Sequence, residues 1–212
     1  AGLAVMPRPL EDRASEDWWL EAFEGKHSNP LKQRVVFYGD SDISHWDTDE
    51  GFPTLGSLNC GVSGTLLKHA REYGPRMCEK YDPKVVVLVA GENDLAEGSP
   101  PANVLSDFVL VYEAIRSSGA HLVYIGTKSE PSTHGLQEAY RMLNRLVEDF
   151  VKGKEGVTFI DCYDKMLLEG MPDESLFCED GLHLSSAGYC LWGELVLDQL
   201  ERLGCTGGGE GV

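Results

Sequence analysis

Basic residues are scarce in this chain: 18 Lys and Arg stand against 35 Asp and Glu, a formal net charge of −17. An excess of that sign repels phosphate backbones and anionic headgroups, which argues against a nucleic-acid partner and against a membrane surface. The acidic residues are spread rather than blocked and read as a solvated surface. Long apolar runs are missing too. No stretch reaches the ~18 apolar residues that span a bilayer, and the apolar opening at residues 1–5 is too short, and lacks the basic leader, to be a signal-peptide core. A soluble, cytoplasmic protein without membrane insertion is expected, with a leader removed ahead of Ala1 as the alternative.

Close cysteine pairs are also absent. Cys60, Cys78, Cys162, Cys178, Cys190 and Cys205 form no CxxC and no short regular spacing, so free thiols are expected. The G-x-S-x-G elbow of the α/β hydrolases is missing, as are a Walker-type phosphate loop and a dinucleotide fingerprint after the first strand, and nucleotide chemistry loses its main support. No internal repeat and no linker divides the chain.

What is present is a repeating alternation. Short, β-branched apolar runs at residues 35–38, 85–90, 122–126 and 157–160 read as buried strands, with a weaker one at 55–59. Between them lie segments of helical period: 65–73, Val104 to Ile115, Leu136 to Phe150 and Leu191 to Leu200. Parallel strands need helical crossovers, so the pattern predicts an α/β fold, a three-layer α/β/α sandwich with a mostly parallel sheet of about five strands. At 212 residues the chain suits one domain, expected over 31–203. Ahead of it stands an extension, 1–30, with an amphipathic helix at 17–23 carrying Trp18, Trp19, Leu20 and Phe23; behind it, 204–212 forms a flexible glycine-rich tail.

In an open α/β sheet, ligands gather where the strands end. Four loops at that edge are chemically distinctive: Gly39-Asp40-Ser41, Asn59-Cys60-Gly61-Val62-Ser63-Gly64-Thr65, Ala90-Gly91-Glu92-Asn93-Asp94 and Asp180-Gly181-Leu182-His183. Each alone has a plain structural reading as a helix cap or a turn. A serine at a strand end, with an Asp and a His close together near the other end of the chain, nevertheless supplies a nucleophile, an orienting acid and a base. Thiolate metal sites show tighter ligand spacing than the Asp-x-x-His pair and its surroundings offer, so no metal is expected there.

Together, in order and spacing, these loops resemble the four signature blocks of the SGNH hydrolases, the GDSL esterase/lipase family, and the resemblance runs from about residue 35 to residue 200. It is also similar to a branch of that superfamily in which Trp46 follows the serine turn, with Leu176-Phe177, Ala187-Gly188-Tyr189 and Trp192 near the far end. The resemblance implies an SGNH or flavodoxin-like fold and a cofactor-free serine esterase acting on a small-molecule ester. It implies Ser41 as nucleophile, His183 as base, Asp180 as its orienting acid, and the backbone of Ser41 and Gly64 with the amide of Asn93 as oxyanion donors. Gly61 competes with Gly64 for that part. Asp42 stands where the family usually has an apolar residue, and is expected to disfavour anionic substrates or to favour the charged form of His183. Asp42, Ile43, Trp46, Leu95 and Pro131 are the candidate substrate wall. Short-chain acyl or acetyl esters are favoured; the alternatives are an O-acyltransferase using the same site and a non-catalytic binding module on the same fold.

Overall fold

Strands that are apolar at every position can be buried on both faces, and the runs Val35–Gly39 and Val85–Val89, buried throughout, lie in the interior of a five-stranded sheet. The computed structural model describes residues 35–205; the helix expected at 17–23, the extension at 1–30 and nearly all of the glycine-rich tail lie outside the described residues. In chain order the main elements are β1 (Val35–Gly39), α1 (Ser41–His45), α2 (Thr48–Gly51), β2 (Leu58–Gly61), α3 (Leu67–Tyr81), β3 (Val85–Val89), α4 (Glu92–Ala96), α5 (Pro101–Ser117), β4 (His121–Ile125), α6 (Gln137–Val151), β5 (Val157–Ile160), the short strands β6 (Leu167–Leu168) and β7 (Met171–Pro172), and α7 (Ser186–Arg202).

The five main strands are all parallel, in the order β2-β1-β3-β4-β5. The period of two along each strand divides the core between the faces. Val36, Tyr38, Val86, Leu88, Leu122 and Tyr124 pack under α3, α5 and α6. Val35, Phe37, Val87, Val89, Val123 and Ile125 pack under α1 and α7, whose Trp192, Val196 and Leu200 are fully buried. The result is the three-layer α/β/α sandwich that the alternation of elements predicts. All six cysteines are free, Cys178 and Cys190 being exposed. Among the described residues no helix is long and apolar enough to cross a membrane.

Two elements differ from the sequence reading. The second strand starts at Leu58, not residue 55, because the chain turns after α2 with the Leu55 N–H on the Phe52 carbonyl, and the parallel register sets Gly61 beside Gly39. Helix α3 runs through Pro75 to Tyr81, well past the expected end at 73, because Met77, Cys78 and Tyr81 continue its buried face; packing outweighs the proline.

The strand order places the candidate site. From β1 the chain steps to β2 on one side and then crosses to β3 on the other, and this reversal opens a crevice beyond the carboxyl ends of β1 and β3. Gly39 lets the two strand ends close: a Cβ there would lie 1.9 Å from the Val89 carbonyl oxygen, and its φ of +146° suits glycine alone. Ser41 follows one of these strand ends and Asn93 follows the other.

Candidate active site

The serine turn is held at both ends of α1. Asp40 caps the helix, its Oδ1 accepting the Asp42 N–H at 3.0 Å, and Ser41 is the first helical residue. At the other end Asn59 Nδ2 donates to the carbonyls of Ile43 (2.6 Å) and Trp46 (2.9 Å), while its Oδ1 accepts the Gly61 N–H at 2.9 Å. Asn59 thus engages the N–H of Gly61. Gly64, half-buried, lies next to Thr65, whose carbonyl accepts one N–H of the Asn93 amide at 3.1 Å. That amide carries a second N–H. The neighbouring Asp94 caps α3, accepting the Leu67 N–H at 3.0 Å; burial raises its carboxyl to about 6 against the pull of that hydrogen bond.

The Asp-x-x-His loop is folded back on itself ahead of α7. An isolated antiparallel bridge between Phe177 and Leu184 closes it, and Cys178 N–H donates to the His183 carbonyl at 2.8 Å. Inside it, Asp180 Oδ1 accepts the N–H groups of Leu182 (2.9 Å) and His183 (3.0 Å), and Oδ2 takes the His183 Nδ1 hydrogen at 2.7 Å. Burial acts to raise the Asp180 carboxyl, but these hydrogen bonds, led by that from His183, outweigh it and bring the carboxyl down to about 2. Asp180 is therefore a carboxylate throughout the neutral range, and Nδ1 is the protonated nitrogen. The His45 ring lies 4.7 Å, centroid to centroid, from that of His183.

Ser41, Asn93 and His183 line one cleft of about 140 Å³. A larger depression of about 420 Å³, bordered by Pro75, Asp82 and Ser118, lies at the opposite edge, where β3 and β4 begin. It is remote from all three residues.

Behind the cleft lies a buried group of charges. Lys128, on the loop after β4, has its Nζ 2.6 Å from Asp42 Oδ2, 2.8 Å from Glu92 Oε2 and 2.6 Å from Glu130 Oε1, with its side chain 2% exposed. Burial alone would push the lysine toward neutrality; Asp42, Glu130 and Glu92 overcome this and hold its pKa well above the ordinary value. Burial likewise raises Glu130, but the Lys128 charge and the hydrogen bonds from Lys128, Thr133 and Tyr140 bring it below the usual range. For Glu92 burial wins over Lys128, and for Asp40 burial is joined by repulsion from Asp42, so both carboxyls are raised well above normal.

The substrate wall read from the sequence is corrected in most of its members. Ile43, Trp46 and Leu95 are core side chains, exposed by 0%, 5% and 3%, because α1 and α4 turn those positions toward the sheet and the neighbouring helices. Pro131 packs on the Asp180 loop at Gly181 rather than on the cleft. Asp42 does border the cleft, but its expected lone charge beside the serine is part of the ion pair with Lys128. The cleft wall instead includes Leu182, Thr133 and Tyr140. The residues of the branch resemblance meet in the core: Trp46 lies 5.4 Å from Tyr189 and 5.9 Å from Trp192, and Tyr189 Oη donates to the Asp42 carbonyl at 2.8 Å. They bind α7, and with it the His183 loop, to the serine helix. Lys128 and Glu130 escaped the sequence reading, which named Asn59 only as part of the loop after the second strand. The signal for Lys128 was its place in Gly126-Thr127-Lys128-Ser129-Glu130, a charged stretch immediately after a buried strand.

A parallel α/β/α sandwich with a polar cleft at its switch point, holding a serine, an amide and a carboxylate-bound histidine, is an arrangement compatible with acyl-ester hydrolysis. The chain belongs to the GDSL-like lipase/acylhydrolase family, whose model matches residues 37–191. The family is one of hydrolases acting on acyl esters. Among solved structures, a proposed acylhydrolase from Bacteroides fragilis superposes with a TM-score of 0.79 at 20% identity, covering 89% of this chain and 99% of that one. A GDSL-like lipase from Bacteroides thetaiotaomicron gives 0.69 at 21% identity, with 81% and 89% covered. The esterase EstA from a Pseudoalteromonas species, solved inhibited by monoethylphosphonate, gives 0.62 at 16% identity, with 82% and 98% covered. At these identities the likeness concerns the fold. No curated protein matches the sequence.

Proposed function

We propose that the protein hydrolyses carboxylic esters of short-chain acyl or acetyl groups through an acyl-enzyme on Ser41. The observation that carries this reading is the sharing of one cleft by Ser41, Asn93 and His183, with the Asp180 carboxylate 2.7 Å from the far ring nitrogen. His183 Nε2 takes the hydroxyl proton as Ser41 Oγ attacks the ester carbonyl, and Asp180 fixes the tautomer and balances the imidazolium. The tetrahedral oxyanion is received by the backbone N–H groups of Ser41 and Gly64 and by the second amide N–H of Asn93. His183 then protonates the departing alcohol. Water attacks the acyl-serine with His183 as base again, the carboxylic acid leaves, and Ser41 recovers its proton.

Support for short acyl groups comes from the cleft itself. A volume of about 140 Å³, with hydroxyls of Thr133 and Tyr140 and buried charges around it, offers a long acyl chain little apolar surface. The partner in this reading is a small ester; the net charge of −17 argues against nucleic acid or an anionic membrane in that role.

The test is hydrolysis of p-nitrophenyl esters from acetate to long acyl chains, with wild type and Ser41→Ala side by side, and labelling by a serine-reactive phosphonate located by mass spectrometry. Turnover of the short esters, a loss of about 10⁴-fold or more in Ser41→Ala, and the label on Ser41 are expected. Full activity in Ser41→Ala overturns the mechanism. An ester product formed preferentially with an added alcohol would instead identify an O-acyltransferase.

A further inference from the structure

The cleft contains more machinery than the serine, amide and histidine account for. An ammonium has three hydrogens, and Lys128 gives each to a different carboxylate: Asp42, Glu92 and Glu130. Asp42 directly follows Ser41. Glu92 directly precedes Asn93. The two groups assigned to attack and to oxyanion binding thus stand on separate loops, after β1 and after β3, and one buried cation joins the residues beside them.

The join is rigid at each end. Glu92 grips Lys128 twice, its Oε1 accepting the lysine's backbone N–H at 2.6 Å and its Oε2 the ammonium at 2.8 Å. Glu130 is braced by the hydroxyls of Thr133 (2.7 Å) and Tyr140 (3.0 Å), the latter tying it to α6. The Asp42 carbonyl is held by Tyr189 on α7, the helix that follows His183. Asp40, Asp42 and Glu92 bring carboxylate oxygens within 4.8 Å of one another, a spacing that suits a cation, but Lys128 already contacts two of the three. The cation is built into the chain.

Stability alone is a poor reason for such an arrangement. Exchanging a buried ion pair for well-packed apolar side chains is often neutral or stabilising, whereas ionic hydrogen bonds of fixed length and direction specify one register between the segments they join. We propose that Lys128 is a positioning residue of this site: its ammonium sets the separation and orientation of the Ser41 turn relative to Asn93. The proposal rests on the serine-hydrolase reading above. Removing the ammonium lets the two loops relax separately, and misplacement of reacting groups by about 1 Å can cost ~10²-fold in rate.

The test is a double-mutant cycle in p-nitrophenyl acetate hydrolysis, with wild type, Lys128→Met, Asn93→Ala and the pair, each rate normalised to folded protein by circular dichroism. Lys128→Met is expected to lower kcat by about 10²-fold with KM changed by no more than about twofold, and Asn93→Ala is expected to cost far less in that background than in wild type. A folded Lys128→Met enzyme with normal kcat, or an Asn93→Ala effect of equal size in both backgrounds, overturns the positioning role. If Lys128→Met does not fold, Glu92→Gln, which keeps shape and removes one charge, replaces it in the cycle under the same criteria. Wild type without turnover and without phosphonate label on Ser41 overturns the hydrolase reading and this proposal together; an active, labelled wild type with an additive cycle overturns this proposal alone.

Discussion

Two carboxylate-centred constellations meet at the cleft, and they are opposite in construction. The Asp180–His183 pair is local, three residues apart in sequence, with side chains 49% and 20% exposed. The Lys128 group is long-range, joining residues 86 and 36 positions apart, and its members are almost completely buried. An exposed pair is screened by water and contributes little to folding, whatever it does in catalysis. A buried group is coupled to the whole fold, since each charge depends on its partners to offset the loss of hydration. A carboxylate held by an N–H donor therefore serves local orientation in one place and long-range registration in the other.

The sharpest way to separate the two is to remove one acid from the exposed pair. Asp180→Asn is expected to lower kcat by about 10³–10⁴-fold, through loss of the Nδ1 tautomer, while changing stability by no more than about 1 kcal/mol. Ester kinetics and urea unfolding on the same preparation measure both. Lys128→Met should show the reverse balance in stability: leaving several carboxyls without their cation is expected to cost about 3–5 kcal/mol, read from the denaturation midpoint at unchanged slope. Equal destabilisation by the two variants would erase the distinction.

Asn93→Ala is expected to raise the activation barrier by about 2–4 kcal/mol through loss of one oxyanion donor, with normal turnover removing the amide from that role. A pH-dependent effect concerns Asp94. Its carboxyl is raised by burial from an unfolded value near ~3.9 to about 6, so the proton it binds favours the fold. That stabilisation is fully present below ~3.9 and lost as pH rises through about 6, and its size is about 3 kcal/mol. Asp94→Asn keeps an acceptor for the Leu67 N–H and removes the titration. The stability of the variant relative to wild type should therefore rise between pH 4 and 6 and then level off. A flat difference across that window would show that Asp94 does not titrate there.

How much of this was legible depended on sequence distance. The strands announced themselves because β3 is Val-Val-Val-Leu-Val, apolar on both faces, a pattern suited to a covered parallel sheet. Asp180 and His183 were legible for the same local reason: two chemistry-bearing side chains in one short loop can meet whatever the rest of the chain does. Ser41 was legible through its strand-end turn. Ile43, Trp46 and Leu95 were misread as cleft wall because adjacency to Ser41 or Asn93 says nothing about which side of a one-turn helix faces the sheet.

Residue order and apolar period alone determined the alternation of strands and helices, the parallel sheet, and the local acid–histidine pair, since each rests on contacts within a few residues or on simple period. Tertiary structure alone decided that Gly61 spends its N–H on Asn59, that Trp46 lies beneath Tyr189 and Trp192, and that Lys128 is the cation shared by Asp42, Glu92 and Glu130. Those facts depend on which strand ends lie side by side, and it is the β2-β1-β3-β4-β5 order that brings the loops after β1, β3 and β4 to one point, where burial forces their charges to pair.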